Sequence, residues 1–347
     1  MSIPKADKIV PYVSYSTPSG EPNGVLHVFG DSSSSKIALL CPGFPDDNTI
    51  FLPFAKALSK HDIMAGVMCL PGYDDRPEDG IPWRSHPRAG FTYDETAKAV
   101  REASKALCNY STHEKPELIG IFHDWGVISG SLWAERLENE AQDNPQILCK
   151  PNKIVYFDVL APPSSKMPDY IRNSEVTQLS NREKLNYLYQ VVFAAASTIQ
   201  LYLPRQIAAA FGLLGLGLLT LLNIVPMEPF DFESRKPIYG NQRTEFQRWV
   251  SMMYMYRNTF TSGDLKAWRL HRDWKNTPIL YMYGKEKKSH FHANNSVAML
   301  QREETEQRSL CRVVPMEGAG HWLYVQKEEE SVKHVVDFIL AENTFAT

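Results

Sequence analysis

The chain carries one strand–helix rhythm in two pieces, and both pieces belong in a single sheet. Lys36–Cys41 (KIALLC) is a continuous apolar run stopped by Pro42-Gly43, as expected of a strand buried on both faces. Phe51–Lys60 has helical spacing, and Ile63–Leu70 is a strand stopped by Pro71-Gly72. Tyr93–Asn109 is helical in pattern with acids in its first turn, which suits the positive end of a helix dipole. Glu117–Phe122, Trp125–Leu137 and Lys153–Val159 continue as strand, helix and strand. The rhythm resumes with strands at Pro278–Tyr283 and Leu310–Val314 and an amphipathic helix at Glu328–Glu342. Such alternation predicts an α/β fold with a mostly parallel central sheet and helices on both faces. Its active site belongs at the carboxyl ends of the strands.

Residues 1–160 and 277–347 thus form the expected core, and 161–276 an inserted helical lid. The insertion is rich in Tyr, Met, Leu and Arg. Within it, Tyr187–Leu203 and Ile207–Val225 are apolar segments separated by Pro204-Arg205-Gln206, and the second has no charged residue. Its length approaches the ~20 residues of a membrane span. A single span would put the two pieces of the sheet on opposite sides of a bilayer. The placements left open are a helical hairpin of residues 187–225 that dips into a membrane and returns, an apolar lid lying on a membrane surface, or a helix buried within the lid.

Composition narrows the function classes. The 347 residues are 43% hydrophobic and 22% charged with a net charge of -3. That is ordinary for a globular protein and gives no electrostatic footprint for nucleic acid. Five dispersed cysteines without CxxC spacing argue against a disulfide framework or a zinc ribbon. A reducing, cytoplasmic setting is expected, and the N-terminus lacks the apolar region of a secretory signal. His290-Phe291-His292 is a poor ligand set without a nearby acid or cysteine cluster, so no metal is expected.

The sharpest chemical signal is Leu118–Gly126 (LIGIFHDWG). An apolar strand enters a tight turn and a helix follows at once, which is the context that exposes a nucleophile above a sheet. The apex residue is Asp124, and a carboxylate there can attack carbon and form an ester. It can equally serve only as an N-cap of the Trp125 helix. Gly318-Ala319-Gly320-His321-Trp322 follows the last strand, placing an imidazole where it can activate water. The turn Cys41-Pro42-Gly43-Phe44-Pro45 leaves backbone N–H groups at a strand end. The N–H groups of Phe44 and Trp125 can then hold a developing oxyanion.

Taken in order, Gly43-Phe44-Pro45, Pro71-Gly72-Tyr73, His123-Asp124-Trp125-Gly126, an insertion, and Gly320-His321-Trp322 resemble the α/β-hydrolase superfamily, within it the epoxide hydrolase and haloalkane dehalogenase branch. The resemblance implies a catalytic triad with Asp124 as nucleophile and His321 as the base that activates water. It also implies a lid tyrosine pair that polarises the epoxide oxygen. Met255-Tyr256-Arg257-Asn258 resembles the motif carrying one of them. Tyr189 is a looser match to the other, with Tyr187 as competitor. Nucleophile and base are both side chains, so no cofactor is expected.

The acid that orients His321 has two candidates. Asp158 ends the strand after the elbow. Glu286 follows the next strand, where the family's usual acid, three residues after Gly284, is replaced by Lys287. A strand-end carboxylate is better fixed, which favours Asp158. Other departures are Pro42 for the usual His, Phe122 where the elbow normally has a small residue, and Val127 for Gly or Ala. Phe44 stands where dehalogenases usually carry Asn, which argues against halide binding. The expected function is hydrolysis of a small hydrophobic epoxide. Haloalkane dehalogenation, or binding of a lipid or small ligand without turnover, are the alternatives.

Overall fold

Eight strands form one sheet, and its register sets the height at which each loop leaves it. They are Lys8–Tyr12 (β1), Gly24–Phe29 (β2), Lys36–Cys41 (β3), Ile63–Val67 (β4), Glu117–His123 (β5), Lys153–Phe157 (β6), Ile279–Gly284 (β8) and Arg312–Met316 (β10), in spatial order β1-β2-β4-β3-β5-β6-β8-β10. The two-residue strands Val159–Leu160 (β7) and Phe291–His292 (β9) pair separately. β1 and β2 pair antiparallel to their neighbours, and every other pairing in the large sheet is parallel. Cys41, Phe122 and Tyr156 lie level across β3, β5 and β6. The loops after these strands therefore open at one edge. This computed structural model describes residues 4–15, 20–73, 87–143, 149–162, 188–222, 248–262, 277–287, 291–292, 294–307 and 309–342.

Helices cover both faces, as the strand–helix alternation predicts. Leu52–Ser59 (α1), with Phe51 just before it, and Glu328–Leu340 (α8) pack on one side through Phe51, Phe54, Val335 and Phe338. Tyr93–Tyr110 (α2) and Trp125–Asp143 (α3) pack on the other through Val100, Leu107 and Trp133. α2 begins with a capping box in which Thr92 and Glu95 satisfy each other's backbone N–H groups, two donors a helix start leaves open. The sequence reading lacks β1, β2 and Asn294–Thr305 (α7). β1 is mostly exposed and contains Pro11, acceptable only on an edge strand, so its apolar pattern is faint.

Between β7 and β8 lie Leu188–Tyr202 (α4), Arg205–Leu221 (α5) and Tyr254–Thr261 (α6). α4 and α5 follow the two apolar segments closely, while Tyr187 and residues 223–225 fall outside the described residues. The polarity of α5 is inverted. Ala208, Ala209 and Gly212 face inward, whereas Ile207, Phe211, Leu214, Leu218 and Leu221 are exposed. Among the described residues, no helix is long and apolar enough to cross a membrane.

Candidate active site

Asp124 sits alone between β5 and α3 with φ +50°. That left-handed conformation is uncommon for a side-chain-bearing residue, and Asp tolerates it better than most. Two glycines make the turn feasible. A Cβ on Gly43 would lie 2.3 Å from the Trp125 nitrogen and 2.7 Å from Oδ2 of Asp124. A Cβ on Gly126 would lie 2.4 Å from the Cys41 carbonyl. The loop after β3 is thus pressed onto the elbow, and the Phe44 N–H donates to Oδ2 of Asp124 at 2.8 Å. The Trp125 N–H also reaches the carboxylate. Burial pushes the Asp124 carboxyl up to about 6, with the nearby His321 ring and then that N–H pulling against it.

His321 faces the other oxygen. Its Nε2 lies 4.0 Å from Oδ1 of Asp124, and its Nδ1 lies 2.6 Å from Oδ2 of Asp158. Asp158, at φ +70°, follows β6 and is fixed by its N–H to the Met282 carbonyl at 2.8 Å. Burial would raise its carboxyl, but the Lys287 ammonium and then His321 hold it well below the usual carboxylate range. Glu286, the competing acid, does not share this contact. It is exposed on the turn after β8, and its backbone N–H donates to the Ala319 carbonyl at 3.0 Å. The turn points it outward and carries the next side chain, Lys287, in to Asp158.

An aromatic roof covers the carboxylate. The Tyr256 ring meets Trp125 at 4.7 Å and Phe44 at 5.3 Å between centroids, both edge-on. Tyr189 lies 6.1 Å from Tyr256, and Phe193 lies 5.2 Å from it. Burial, then Tyr189 and Asp124, push the Tyr256 phenol well above its usual value. The structure thus brings both tyrosines above the residues whose N–H groups hold Asp124. Hydrogen bonds to the core fix α6. Tyr93 donates to the Met255 carbonyl at 2.9 Å, and the Asn258 amide donates to the Phe91 carbonyl at 2.7 Å. Arg248 reaches Asp47, in the loop after β3, at 2.8 Å with both side chains buried.

Phe122 is accommodated rather than crowded. Its buried ring packs on Trp133 and Tyr156. It occupies room left by Gly120 and Gly130, where a Cβ would come within 2.5 Å and 2.6 Å of it. Val127, the other elbow departure, is buried in the same core. Asp46, not singled out in the sequence, accepts the Trp322 indole N–H at 2.7 Å and so braces the His321 loop. Lys287 stood out only as a missing acid, because no local pattern announces a cation aimed into a buried site.

His123, Asp158 and His321 lie close enough together to suggest metal ligands. Their donors are committed elsewhere. His123 Nε2 donates to the His321 carbonyl at 3.1 Å, and its Nδ1 accepts the Tyr324 hydroxyl at 3.1 Å. Burial, and then His321 beside it, hold the His123 ring well below its usual value. The Lys287 ammonium already sits on the Asp158 oxygen. This donor set does not fit a divalent ion. His290 lies outside the described residues, and His292 Nδ1 is 2.7 Å from the Tyr281 hydroxyl.

No family model and no curated protein matches the chain. Solved structures do. Potato (Solanum tuberosum) epoxide hydrolase I aligns with TM-score 0.56 and 17% identity over 91% of this chain and 95% of that one. A laboratory-evolved variant of the potato enzyme gives 0.58 and 18% over 91% and 95%. The epoxide hydrolase of Vigna radiata gives 0.53 and 18% over 91% and 94%. Identity this low speaks for the fold. With the sheet order and the strand–elbow–helix turn, it shows that the chain has the α/β-hydrolase fold.

Proposed function

We propose that this protein is a hydrolase that opens an apolar epoxide through a covalent ester on Asp124. The observation that carries the reading is the division of one carboxylate between two functions. Oδ2 is held by the backbone N–H of Phe44 while Oδ1 faces His321. Attack by Oδ1 on an epoxide carbon breaks the C–O bond, and Tyr256, with Tyr189 beside it, gives the alkoxide a proton. The N–H groups of Phe44 and Trp125 then polarise the ester carbonyl. His321, oriented by Asp158, takes a proton from the attacking water. Collapse of the adduct releases a vicinal diol and returns the carboxylate with one oxygen from water. Residues 161–276 act as the lid, since their helices supply both tyrosines. The aromatic lining of Phe44, Trp125, Phe193 and Tyr256 favours an apolar substrate.

The decisive experiment is a single turnover in 18O-water with a panel of apolar epoxides. One labelled oxygen enters Asp124 if the ester forms, and Asp124→Asn loses both label and turnover. Halide release from haloalkanes, or binding of epoxides without turnover, overturns the assignment.

The inverted polarity of α5 supports a further part of this reading, contact with a lipid surface. Large aliphatic side chains on the outer face and small ones on the inner are the reverse of a water-facing helix. Tyr202 and Arg205 stand at the head of the α4–α5 pair, where interfacial aromatic and basic residues belong.

A further inference from the structure

The least expected group in the site is a buried cation at the acid–base pair. Lys287 is 5% exposed and Asp158 fully buried, and the ammonium shares Oδ2 of Asp158 with the His321 ring. Nζ lies 3.3 Å from His321 Nδ1. Among the described residues, Oδ1 of Asp158 takes no hydrogen bond, so both donors converge on one oxygen. The turn that carries Lys287 is tied to the His321 loop. The Lys285 N–H donates to the Met316 carbonyl and the Glu286 N–H to the Ala319 carbonyl, each at 3.0 Å. A Cβ on Gly284 would lie 2.3 Å from the Ala319 and Gly320 carbonyls, so this close seating requires glycine. Lysine and histidine are therefore held as one unit against the same carboxylate.

We infer that Lys287 is a positioning residue: its ammonium fixes Asp158 on Nδ1 and opposes the positive charge that His321 acquires when it takes a proton. An Asp–His pair alone places a net negative charge beside the ring and favours imidazolium. Adding a cation in contact with both makes the partner of the ring a neutral ion pair. A second positive charge on the ring is then less favoured than it would be beside Asp158 alone. Other titratable groups face the ring: Asp124 on the Nε2 side at 4.0 Å and neutral His123, its ring tilted by 50° at 4.5 Å between centroids. Both feel Lys287 as well, but less than they feel burial and His321.

The inference rests on the hydrolase reading only for its kinetic part. The test therefore begins without substrate, by NMR titration of the His321 ring carbon in wild type, Lys287→Met and Lys287→Arg, with His321→Gln for assignment. Loss of the cation is expected to move the His321 midpoint up by about one pH unit, a tenfold tighter proton, while Arg stays near wild type. In turnover, the acid limb of ester hydrolysis should move in the same direction. A midpoint in Lys287→Met within about 0.3 unit of wild type overturns the inference and leaves Lys287 a structural counter-charge. Should the Met variant not fold, Lys287→Gln, which keeps a donor without the charge, reads the same shift. Absence of any covalent ester overturns the function but leaves the titration to decide the role of Lys287.

Discussion

The backbone N–H of Phe44 meets Oδ2 of Asp124 at 2.8 Å, across 80 positions of chain. In the proposed mechanism that donor is already on the oxygen that becomes anionic when water attacks the ester, so stabilisation needs no reorganisation at that moment. The same enclosure has a cost for the resting protein, because the carboxyl is raised from 3.8 to about 6 chiefly by burial.

Asp124→Asn should therefore stabilise the fold. The folded value lies above the unfolded one, so the wild type loses stability as pH rises from about 4 to 6 and stays lower beyond. Relief of that burden is at most about 3 kcal/mol above pH ~6 and vanishes below pH ~4. Chemical denaturation of both proteins at pH 3.5 and 8 measures it. A variant less stable than wild type at pH 8 contradicts the burial argument. In the wild type, ester formation in single turnovers should fall away below pH ~6, as the nucleophile gains its proton.

His321→Gln should trap the ester. Formation needs Asp124 and the tyrosines, whereas hydrolysis needs the base, so the second step should slow by about 10²–10⁴-fold. Intact-protein mass spectrometry should show the enzyme plus one substrate. An unmodified protein during slow turnover would mean that His321 acts elsewhere.

Asp158 and Glu286 should separate cleanly. Asp158→Asn leaves the Lys287 ammonium buried without its counter-charge, and a loss of about 3–5 kcal/mol is expected. Asp158→Asn with Lys287→Met should recover part of it, which a double-mutant cycle quantifies. Glu286→Gln, on the exposed turn, should change stability by less than about 0.5 kcal/mol and leave hydrolysis unaltered. Loss of hydrolysis in Glu286→Gln with retention in Asp158→Asn would reverse the assignment. The depressed Asp158 carboxyl also makes the fold acid-sensitive. Its contribution is complete above about pH 4 and is lost as pH falls below.

Tyr256→Phe should slow ester formation by about 10²-fold or more, through loss of the proton donor, with hydrolysis of a preformed ester little affected. Tyr189→Phe should act on the same step. Stopped-flow quenching of Trp fluorescence separates the two steps. Equal effects on both would make the tyrosines packing residues instead.

The outer face of α5 should bind lipid. Wild type should float with anionic phospholipid vesicles, and Leu214→Glu with Leu218→Glu should not, while activity on a water-dissolved epoxide is retained. Concentration-dependent dimerisation without vesicle binding would assign the face to a second copy of the chain.

Local signals in the chain determined the α/β core. The apolar runs of β3, β4, β5 and β6, the Pro-Gly stops and the abrupt strand-to-helix turn at Asp124 lie within short windows, where period and turn chemistry are written directly. The turn that carries Asp124 and the loop that carries His321 were legible for that reason, and Tyr256 was picked out only through its flanking motif. Only the tertiary structure decided which acid meets His321, because Asp158 and Glu286 both follow strands and differ only in which way their turns face. Only it placed Lys287 on that acid, let Gly120 and Gly130 make room for Phe122, and exposed the large side chains of α5. Each of those outcomes depends on contacts between segments far apart in the chain, and residue order along the chain does not record which faces meet.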